Sequence, residues 1–202
     1  MERSILLIDG FNFYHSISKM PHLKKYKWVN FHTLASILIP KSHRINGVYY
    51  FTALAHWDQR KVRNHRLFIG VQEHFGVQTI YGKFKMKDRE CRLCHGVYKI
   101  PEEKQTDVNI AITLLSLAFR NEFDNAYIIS GDSDLIPSIR AVKNIFPSKK
   151  IGVAVPIHRT AIELQNIADF HMRIKEKHLK SSLLPDEIDI NGRKIIRPSH
   201  WI

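Results

Sequence analysis

Acidic side chains follow the apolar segments of this 202-residue chain at positions where they could hold a metal ion. Two of them lie in the segment Ser130-Gly131-Asp132-Ser133-Asp134, directly after the apolar run 126–129. A third ends the apolar run 5–8, and a fourth opens an apolar helical pattern near residue 107. Carboxylate oxygens are the ligands that Mg²⁺ and Mn²⁺ prefer, and such ions support phosphodiester chemistry. The predicted metal ligands are Asp9, Asp107, Asp132 and Asp134.

Each of these acidic residues also has an ordinary structural interpretation. Asp9 and Gly10 can form a turn, and Asp132 can cap the helix that follows it. Asp107 would be stabilised at a helix N-terminus by the helix dipole alone. The occurrence of all four in this order favours a shared metal site over independent structural roles.

Strand-like and helix-like segments alternate along the chain and predict the elements that would position these acids. Five strands are predicted at 4–8, 47–54, 77–81, 125–129 and 150–155, with a short strand-like piece at 170–174. Helices are predicted at 11–19, 30–39, 58–75, 135–146 and 160–168. Alternation of this kind predicts an α/β fold with a mainly parallel five-stranded sheet. The strand ends that carry Asp9 and Asp132 would then meet at one edge of the sheet.

A further helix is predicted after Thr106, whose hydroxyl can cap a free backbone N–H. Its apolar residues recur at helical spacing and predict the buried face of that helix. The predicted stripe is Val108, Ala111, Ile112, Leu115, Ala118 and Phe119.

Net charge predicts a polyanionic partner. The chain has 31 Lys and Arg against 19 Asp and Glu, a net charge of +12, and the basic residues are clustered. Aromatic residues, Trp28 and Phe84 among them, stand within two clusters, as in tracks that bind single-stranded nucleic acid. A solvated surface without such a partner is the plainer alternative. The predicted RNA-binding residues are Lys24, Lys25, Lys27, Arg60, Lys61, Arg63, Arg66, Lys83, Lys85, Lys87 and Lys104.

Several classes of protein are disfavoured by what the sequence lacks. No apolar stretch approaches the roughly 20 residues that span a bilayer, and no secretory pattern is present, so we expect a cytoplasmic location. Neither a G-x-x-x-x-G-K-[ST] nor a G-x-G-x-x-G motif occurs, which disfavours nucleotide-driven motors and dehydrogenases.

The domain is predicted to occupy residues 1–175, with an irregular basic insertion at 82–101 and a tail at 176–202. The tail could cover the rim of the active site, mediate a homodimer, or pack Trp201 within the same chain. The sequence does not distinguish among these three.

Cys91 and Cys94 have the spacing of half a zinc site. They are the only cysteines, so His95, His74 or His65, or the cysteine pair of a second subunit, would have to complete it. A structural disulfide is disfavoured in a reducing cytoplasm. A hairpin turn with two reduced thiols is the alternative to Zn²⁺ at Cys91 and Cys94.

Three motifs resemble those of the NYN domain, a branch of the PIN-like nucleases. They are Leu6-Leu7-Ile8-Asp9-Gly10-Phe11-Asn12, Glu103-Lys104-Gln105-Thr106-Asp107-Val108 and, most specific, Ile128-Ile129-Ser130-Gly131-Asp132-Ser133-Asp134-Leu135. The resemblance covers residues 4–174. It implies a PIN-like Rossmannoid three-layer fold and a Mg²⁺- or Mn²⁺-dependent ribonuclease.

The resemblance also implies roles for individual residues. Asp9, Asp107 and Asp132 would be the metal-centred carboxylates, and Asp134 a further ligand or the group that orients the attacking water. Asn12 would contact the scissile phosphate or a metal-bound water. Asp169 resembles a late acidic position of such domains but could equally be a helix-end residue, and it is not assigned to the catalytic set.

The leading hypothesis is therefore a metal-dependent endoribonuclease that hydrolyses RNA phosphodiester bonds. A non-catalytic RNA-binding module of the same fold is the alternative, and a metal-dependent phosphatase for small substrates is a third. A pure binder would gain nothing from clustered negative charge that faces phosphates. The basic, aromatic-rich segments favour a polymer over a small substrate.

Overall fold

The computed structural model describes residues 1–201; Ile202, the last residue of the predicted tail, lies outside the described residues. In chain order the strands are β1 (Arg3–Asp9), β2 (Arg44–Thr52), β3 (Val77–Tyr81), β4 (Lys83–Glu90), β5 (Val97–Lys104), β6 (Asn125–Ile129), β7 (Lys150–Val155), β8 (Phe170–Arg173), β9 (Glu187–Ile190) and β10 (Arg193–Ile196). The α-helices are α1 (Gly10–Ser18), α2 (Phe31–Leu38), α3 (Gln59–His74), α4 (Thr106–Phe119), α5 (Ile136–Ile145), α6 (Ile162–Ile167) and α7 (Glu176–Ser181). Short 3₁₀ helices occupy Pro21–Trp28, Ser133–Leu135 and Ser199–Trp201.

One sheet organises the fold, with the strand order β3-β2-β1-β6-β7-β8. Every neighbouring pair in it is parallel, which confirms the predicted α/β class and the mainly parallel sheet. The predicted number of strands, five, is wrong, because the short piece at 170–174 pairs with β7 as a sixth strand. The ring of Phe170 lies over Gly152, where an added Cβ would come within 1.8 Å of it. The Phe170 ring thus packs directly on the backbone of β7, to which β8 is also paired.

Helices cover both faces of the sheet, as the three-layer prediction requires. On β1, Leu6 and Ile8 pack against side chains of α1, α2, α3 and α7. Ile5 and Leu7 point to the opposite face and pack against α4, α5 and α6. Successive residues of a strand face opposite sides, so a strand covered on both sides must be apolar throughout. This is why the continuous apolar run 5–8 identified β1 in the sequence.

The helices predicted at 11–19, 30–39, 58–75, 135–146 and 160–168 begin and end within two residues of their observed bounds. The buried face predicted for α4 is right only in part, because Ala118 is buried and Leu115 packs against the core but other members of the stripe are exposed. The buried residues of α4 include Ile110, Leu114 and Leu117. Ile112, by contrast, is 57% exposed and Phe119 66% exposed. Apolar residues lie on almost every side of α4, so helical spacing alone could not identify the side that faces the sheet.

Thr106 is the first residue of α4 and not its N-cap. The preceding residue, Gln105, has a positive φ of 81°. Glu103 accepts hydrogen bonds from both the backbone N–H and the hydroxyl of Thr106. A carboxylate three residues away thus satisfies the donor that a capping residue would otherwise satisfy.

The basic insertion predicted as irregular is a regular antiparallel ribbon formed by β4 and β5. Most of its side chains are exposed on both faces, so the sequence carries no alternation of apolar and polar residues that would indicate strands. Residues 91–96 form its turn. Phe84 pairs directly with Glu103 across the ribbon, and the two side chains therefore lie on the same face.

The C-terminal segment packs on the core of the same chain. Leu179 is fully buried, and the Trp201 ring lies 6.0 Å from that of Trp28. The indole N–H of Trp28 donates to the carbonyl of Pro185 at 2.8 Å. Of the three alternatives for the tail, packing of Trp201 within the chain is therefore observed. None of the helices in residues 1–201 is long and apolar enough to cross a membrane.

Candidate active site

The site lies where the connections from β1 and β6 leave the sheet in opposite directions. From β1 the chain continues to β2 and β3 on one side, whereas β6, β7 and β8 extend on the other. In open parallel sheets the carboxyl ends of the strands at such a switch point form a crevice that binds ligands. Asp9 is the last residue of β1, and Ser130 directly follows β6.

Asp9 is a buried carboxylate, 4% exposed, with both oxygens hydrogen bonded. Oδ1 accepts from the backbone N–H of Asn12 at 2.9 Å, and Oδ2 accepts from the Ser130 hydroxyl at 2.8 Å. Burial raises the pKa of Asp9 against the effect of these two donors, and the charges of Asp132 and Glu103 raise it further. Gly10 lets α1 start at once, because a Cβ there would lie 2.5 Å from the carbonyl oxygen of Phe51.

Ser130 ties Asp9 to Asp132. Its hydroxyl donates to Asp9 and accepts the backbone N–H of Asp132 at 3.0 Å. Oδ1 of Asp132 in turn accepts the N–H of Asp134 at 3.0 Å and caps the 3₁₀ helix Ser133–Leu135. No role for Ser130 is predicted from the sequence. The only sequence signal for a role of Ser130 was its position between the last residue of a strand and a pair of acidic residues.

Asp107 lies within electrostatic reach of the other three predicted acids. Burial, followed by the charges of Asp9, Asp132, Glu103 and Asp134, raises the pKa of Asp107 to about 6. A position in the first turn of α4 would by itself favour the ionised form. The surrounding negative charge and the loss of solvent therefore outweigh the helix dipole.

Glu103 is a fifth acid of the site that the sequence analysis did not predict. It reaches the centre from the end of β5, and its charge contributes to the raised pKa values of Asp9 and Asp107. It stands within the second motif. Its role was hidden because the ribbon that positions it was not recognised as a pair of strands.

Asn12 is fixed in an orientation that leaves its amino group free. Its Oδ1 accepts the backbone N–H of Gly131 at 3.1 Å. Among residues 1–201 no protein acceptor contacts its Nδ2, so two N–H donors remain for a ligand.

Arg159, a cationic residue not predicted from the sequence, also lies beside Gly131. Its Cβ is 3.7 Å from where a Cβ of Gly131 would lie. Its buried Nε has no hydrogen-bond partner in the described part of the chain. Burial lowers the pKa of His15, and the nearby positive charges of Arg159 and Lys19 lower it further. A loop that leaves β7 at the same sheet edge was the only sequence signal for Arg159.

The acidic side chains of the site are suited to binding a hard divalent cation. Their ligand atoms are all carboxylate oxygens. The negative charges repel one another, and a bound cation would relieve that repulsion. Within residues 1–201, however, no three His, Cys, Asp or Glu side chains are already grouped as a metal site. The acids converge electrostatically but are not arranged around a common point.

The cysteines lie at the turn of the ribbon as free thiols. Hydrogen bonds from the backbone of Cys94 and then of Leu93 lower the pKa of the Cys91 thiol. The neighbouring His95 pairs instead with Glu90, at 2.5 Å. His65 lies on α3 and contacts Tyr50. Zinc at Cys91 and Cys94 stays a prediction.

The predicted RNA-binding residues have different surroundings. Lys27, Arg60 and Lys61 line a cavity beside the acids. Lys87 and Lys104 both pair with Glu102, which offsets their charge. The remaining members are exposed: Lys24, Lys25, Arg63, Arg66, Lys83 and Lys85.

Asp169, which was left out of the catalytic set, has structural partners. Its Oδ1 is 3.0 Å from the ammonium of Lys143. Its Oδ2 accepts the backbone N–H of Ile151 at 2.8 Å and so helps to hold the start of β7.

The fold and the site together define an α/β protein with an acidic centre at the switch point of a parallel sheet. The NYN domain family matches residues 3–175, and this protein belongs to that family. The family is one of PIN-like nucleases, which supports a function of nuclease type.

Individual proteins similar to this chain include HspA and VPA0982. The 6-hydroxy-3-succinoylpyridine 3-monooxygenase HspA of Pseudomonas putida (strain DSM 28022 / S16) is 27% identical over 245 aligned positions, which include 98% of this chain and 75% of HspA. The crystal structure of VPA0982, a protein of unknown function from Vibrio parahaemolyticus RIMD 2210633, superposes with a TM-score of 0.59. That match covers 91% of this chain and 96% of VPA0982 at 18% identity, and it supports the fold alone.

Proposed function

We propose that this protein is a metal-dependent endoribonuclease, a hydrolase of RNA phosphodiester bonds that acts in the cytoplasm. One observation carries the proposal: at the switch point of the sheet Ser130 links Asp9 to Asp132, and the charges of Asp9, Asp132 and Asp134 all act on Asp107. Concentrated negative charge opposes the approach of a phosphate unless a cation is held between them.

Asp9, Asp107 and Asp132 would hold Mg²⁺ or Mn²⁺, with Asp134 as a further ligand. When bound, such an ion supplies Lewis-acid stabilisation of charge on phosphate oxygens and lowers the pKa of water. Ser130 contributes by keeping Asp9 and Asp132 adjacent through its two hydrogen bonds.

Two other groups of this chain would bind the phosphodiester itself. The free Nδ2 of Asn12 can donate to a non-bridging oxygen, because its Oδ1 is already held by Gly131. Arg159, whose Cβ lies beside Gly131, would supply a positive charge near the same phosphate. Both are positioned by backbone that leaves the sheet at the same edge, so they would orient the scissile phosphate beside the acids.

The test is cleavage of a mixed-sequence single-stranded RNA by wild type and by Asp132→Asn, with Mn²⁺ or Mg²⁺ and with chelator. An asparagine at 132 can still accept the N–H of Asp134, so the turn should survive. Asp189→Asn is the matched control, since Asp189 likewise accepts a backbone N–H, from Gly192, in a turn of the β9–β10 hairpin. We expect metal-dependent cleavage to fall by about 100-fold or more in Asp132→Asn only. Undiminished metal-dependent cleavage by that variant would contradict the assignment.

A second candidate, binding of RNA without cleavage, shares the basic surface but does not use the acids. Tight, salt-sensitive binding by a wild-type protein that cuts no RNA with any metal would favour it.

A third candidate is an enzyme for small aromatic substrates. HspA is named for such a substrate, a substituted pyridine, and a cavity lined by aromatic side chains lies beside the acids of this chain. Binding of a hydroxypyridine that RNA does not displace would favour this candidate over the ribonuclease.

A further inference from the structure

Beside the acidic centre lies a cavity of about 540 Å³ whose walls are aromatic. We propose that it binds one nucleotide of the RNA substrate, with the base among the aromatic rings and the adjoining phosphate against the cationic rim. The inference rests on the proposed ribonuclease function and adds to it the site that holds an unpaired nucleotide beside the bond to be cut.

Three rings frame the cavity. The Phe84 ring lies 5.3 Å from that of Phe11 and 4.6 Å from that of Trp57, nearly perpendicular to both. Trp57 is 46% exposed, so a large aromatic surface faces solvent at the cavity. Stacking on such side chains is how proteins bind unpaired bases of any sequence. A cavity of this volume lies within the range of sites for small organic ligands.

The ribbon connects this cavity to the acids. Phe84 and Glu103 are direct partners across β4 and β5 and lie on one face. Glu103 lines the cavity and also influences the pKa of Asp107. Gly10, the residue after Asp9, lines the cavity as well. A nucleotide bound here would therefore place its neighbouring phosphodiester next to the acidic centre.

Polar groups make the cavity suited to a nucleotide more than to a purely apolar ligand. Lys27 and Arg60 line it, and neither forms an ion pair within residues 1–201. Nε2 of His65 is 3.2 Å from the hydroxyls of both Tyr50 and Thr52. The Nδ1 of His65 has no protein partner in the described residues and remains available to the edge of a base. Burial lowers the pKa of His65 to about 4, so the ring is neutral at physiological pH.

The C-terminal segment supplies another wall. His200 and Trp201 line the cavity, and the amide of Asn64 is 3.3 Å from His200 Nε2. The segment that follows the predicted domain thus completes the site instead of lying apart from it.

The experiment measures binding of the four ribonucleoside 5′-monophosphates to the Asp132→Asn protein by calorimetry in chelator. Phe84→Ala should weaken the binding by about tenfold or more, and Phe84→Tyr, which keeps the ring, should restore it. Tyr98→Ala is the control, because Tyr98 is an exposed aromatic residue of the same ribbon outside the cavity. A single-stranded RNA should displace the mononucleotide. In the cleavage-competent protein, Phe84→Ala should change the distribution of cut sites on a mixed RNA.

The outcomes separate this inference from the function on which it rests. Unaltered mononucleotide affinity in Phe84→Ala, or no mononucleotide binding by a protein that cleaves RNA, would overturn the cavity assignment alone. Phe84-dependent binding that RNA does not displace would assign the cavity to a free nucleotide and overturn the RNA part. If the protein cuts no RNA but its Phe84-dependent mononucleotide binding is displaced by RNA, the nucleotide site would be supported and the nuclease function overturned.

Discussion

Asp107 is the residue at which the electrostatics of the site can be measured most directly. Its pKa is raised to about 6, from 3.8 for an unperturbed aspartate, so the folded protein binds the proton more tightly than the unfolded chain. Between these two values the folded state holds more protons, and stability must fall as the pH rises through that window. Above it, the ionised carboxylate costs the metal-free fold free energy.

We therefore expect Asp107→Asn to stabilise the metal-free protein at pH 7. The gain in the free energy of unfolding should be on the order of 1 kcal/mol, because solvent screens a half-exposed group. It should shrink as the pH is lowered through 6 towards 4, where the native carboxyl group is itself protonated. Urea unfolding in chelator at several pH values measures it. A gain that does not depend on pH, or a loss of stability at pH 7, would contradict this account.

The acids of the site were predictable one residue at a time, whereas their neighbours were not. Asp9 and Asp132 follow apolar runs, and parallel strands bring such ends together. Arg159 and Glu103 stand out only because of the residues that lie next to them at the sheet edge, and no local sequence pattern encodes those neighbours. The role of Ser130 follows from its two hydrogen-bond partners, which lie 121 and two residues away in the sequence, so it could not be predicted from the local sequence.

At the scale of elements, strand positions followed from local sequence where burial is complete on both faces. The ribbon was missed because it is exposed on both faces, and the buried side of α4 was predicted only in part because the helix is apolar nearly all round. In each case the burial of the element is determined by the neighbouring surface that covers it and not by the periodicity of its own sequence.

A pair of substitutions on α4 tests this account. Leu114 is fully buried and Ile112 is 57% exposed, although both are large aliphatic residues of the same helix. Leu114→Ala should reduce the free energy of unfolding by about 2–5 kcal/mol through lost burial and a cavity. Ile112→Ala should change it by less than about 1 kcal/mol. Chemical denaturation of both variants measures the difference. Equal losses of unfolding free energy would mean that Ile112 lies on the buried face of the helix after all.

Over the whole molecule, basic residues differ in their distance from the acidic centre and therefore in their expected contribution to RNA binding. Lys27 and Arg60 lie beside the cavity and the acidic centre, and after burial their charges contribute to the lowered pKa of His200. Lys41 and Lys150 lie at the opposite edge, near the amino ends of β2 and β7. Removal of either pair takes away two positive charges, and because none of the four forms an ion pair within residues 1–201, neither variant leaves an acid without its partner.

The salt dependence of RNA binding should separate the two pairs. Each phosphate neutralised on a single strand contributes about −0.7 to the slope of log affinity against log salt concentration. In the Asp132→Asn background, Lys27→Ala/Arg60→Ala should make that slope shallower by about 1.4, whereas Lys41→Ala/Lys150→Ala should leave it nearly unchanged. Fluorescence anisotropy with a labelled single-stranded RNA at a series of salt concentrations measures both. Equal effects of the two pairs would mean that net charge alone attracts the RNA, and that the edge of the sheet with the acids has no special part in holding it.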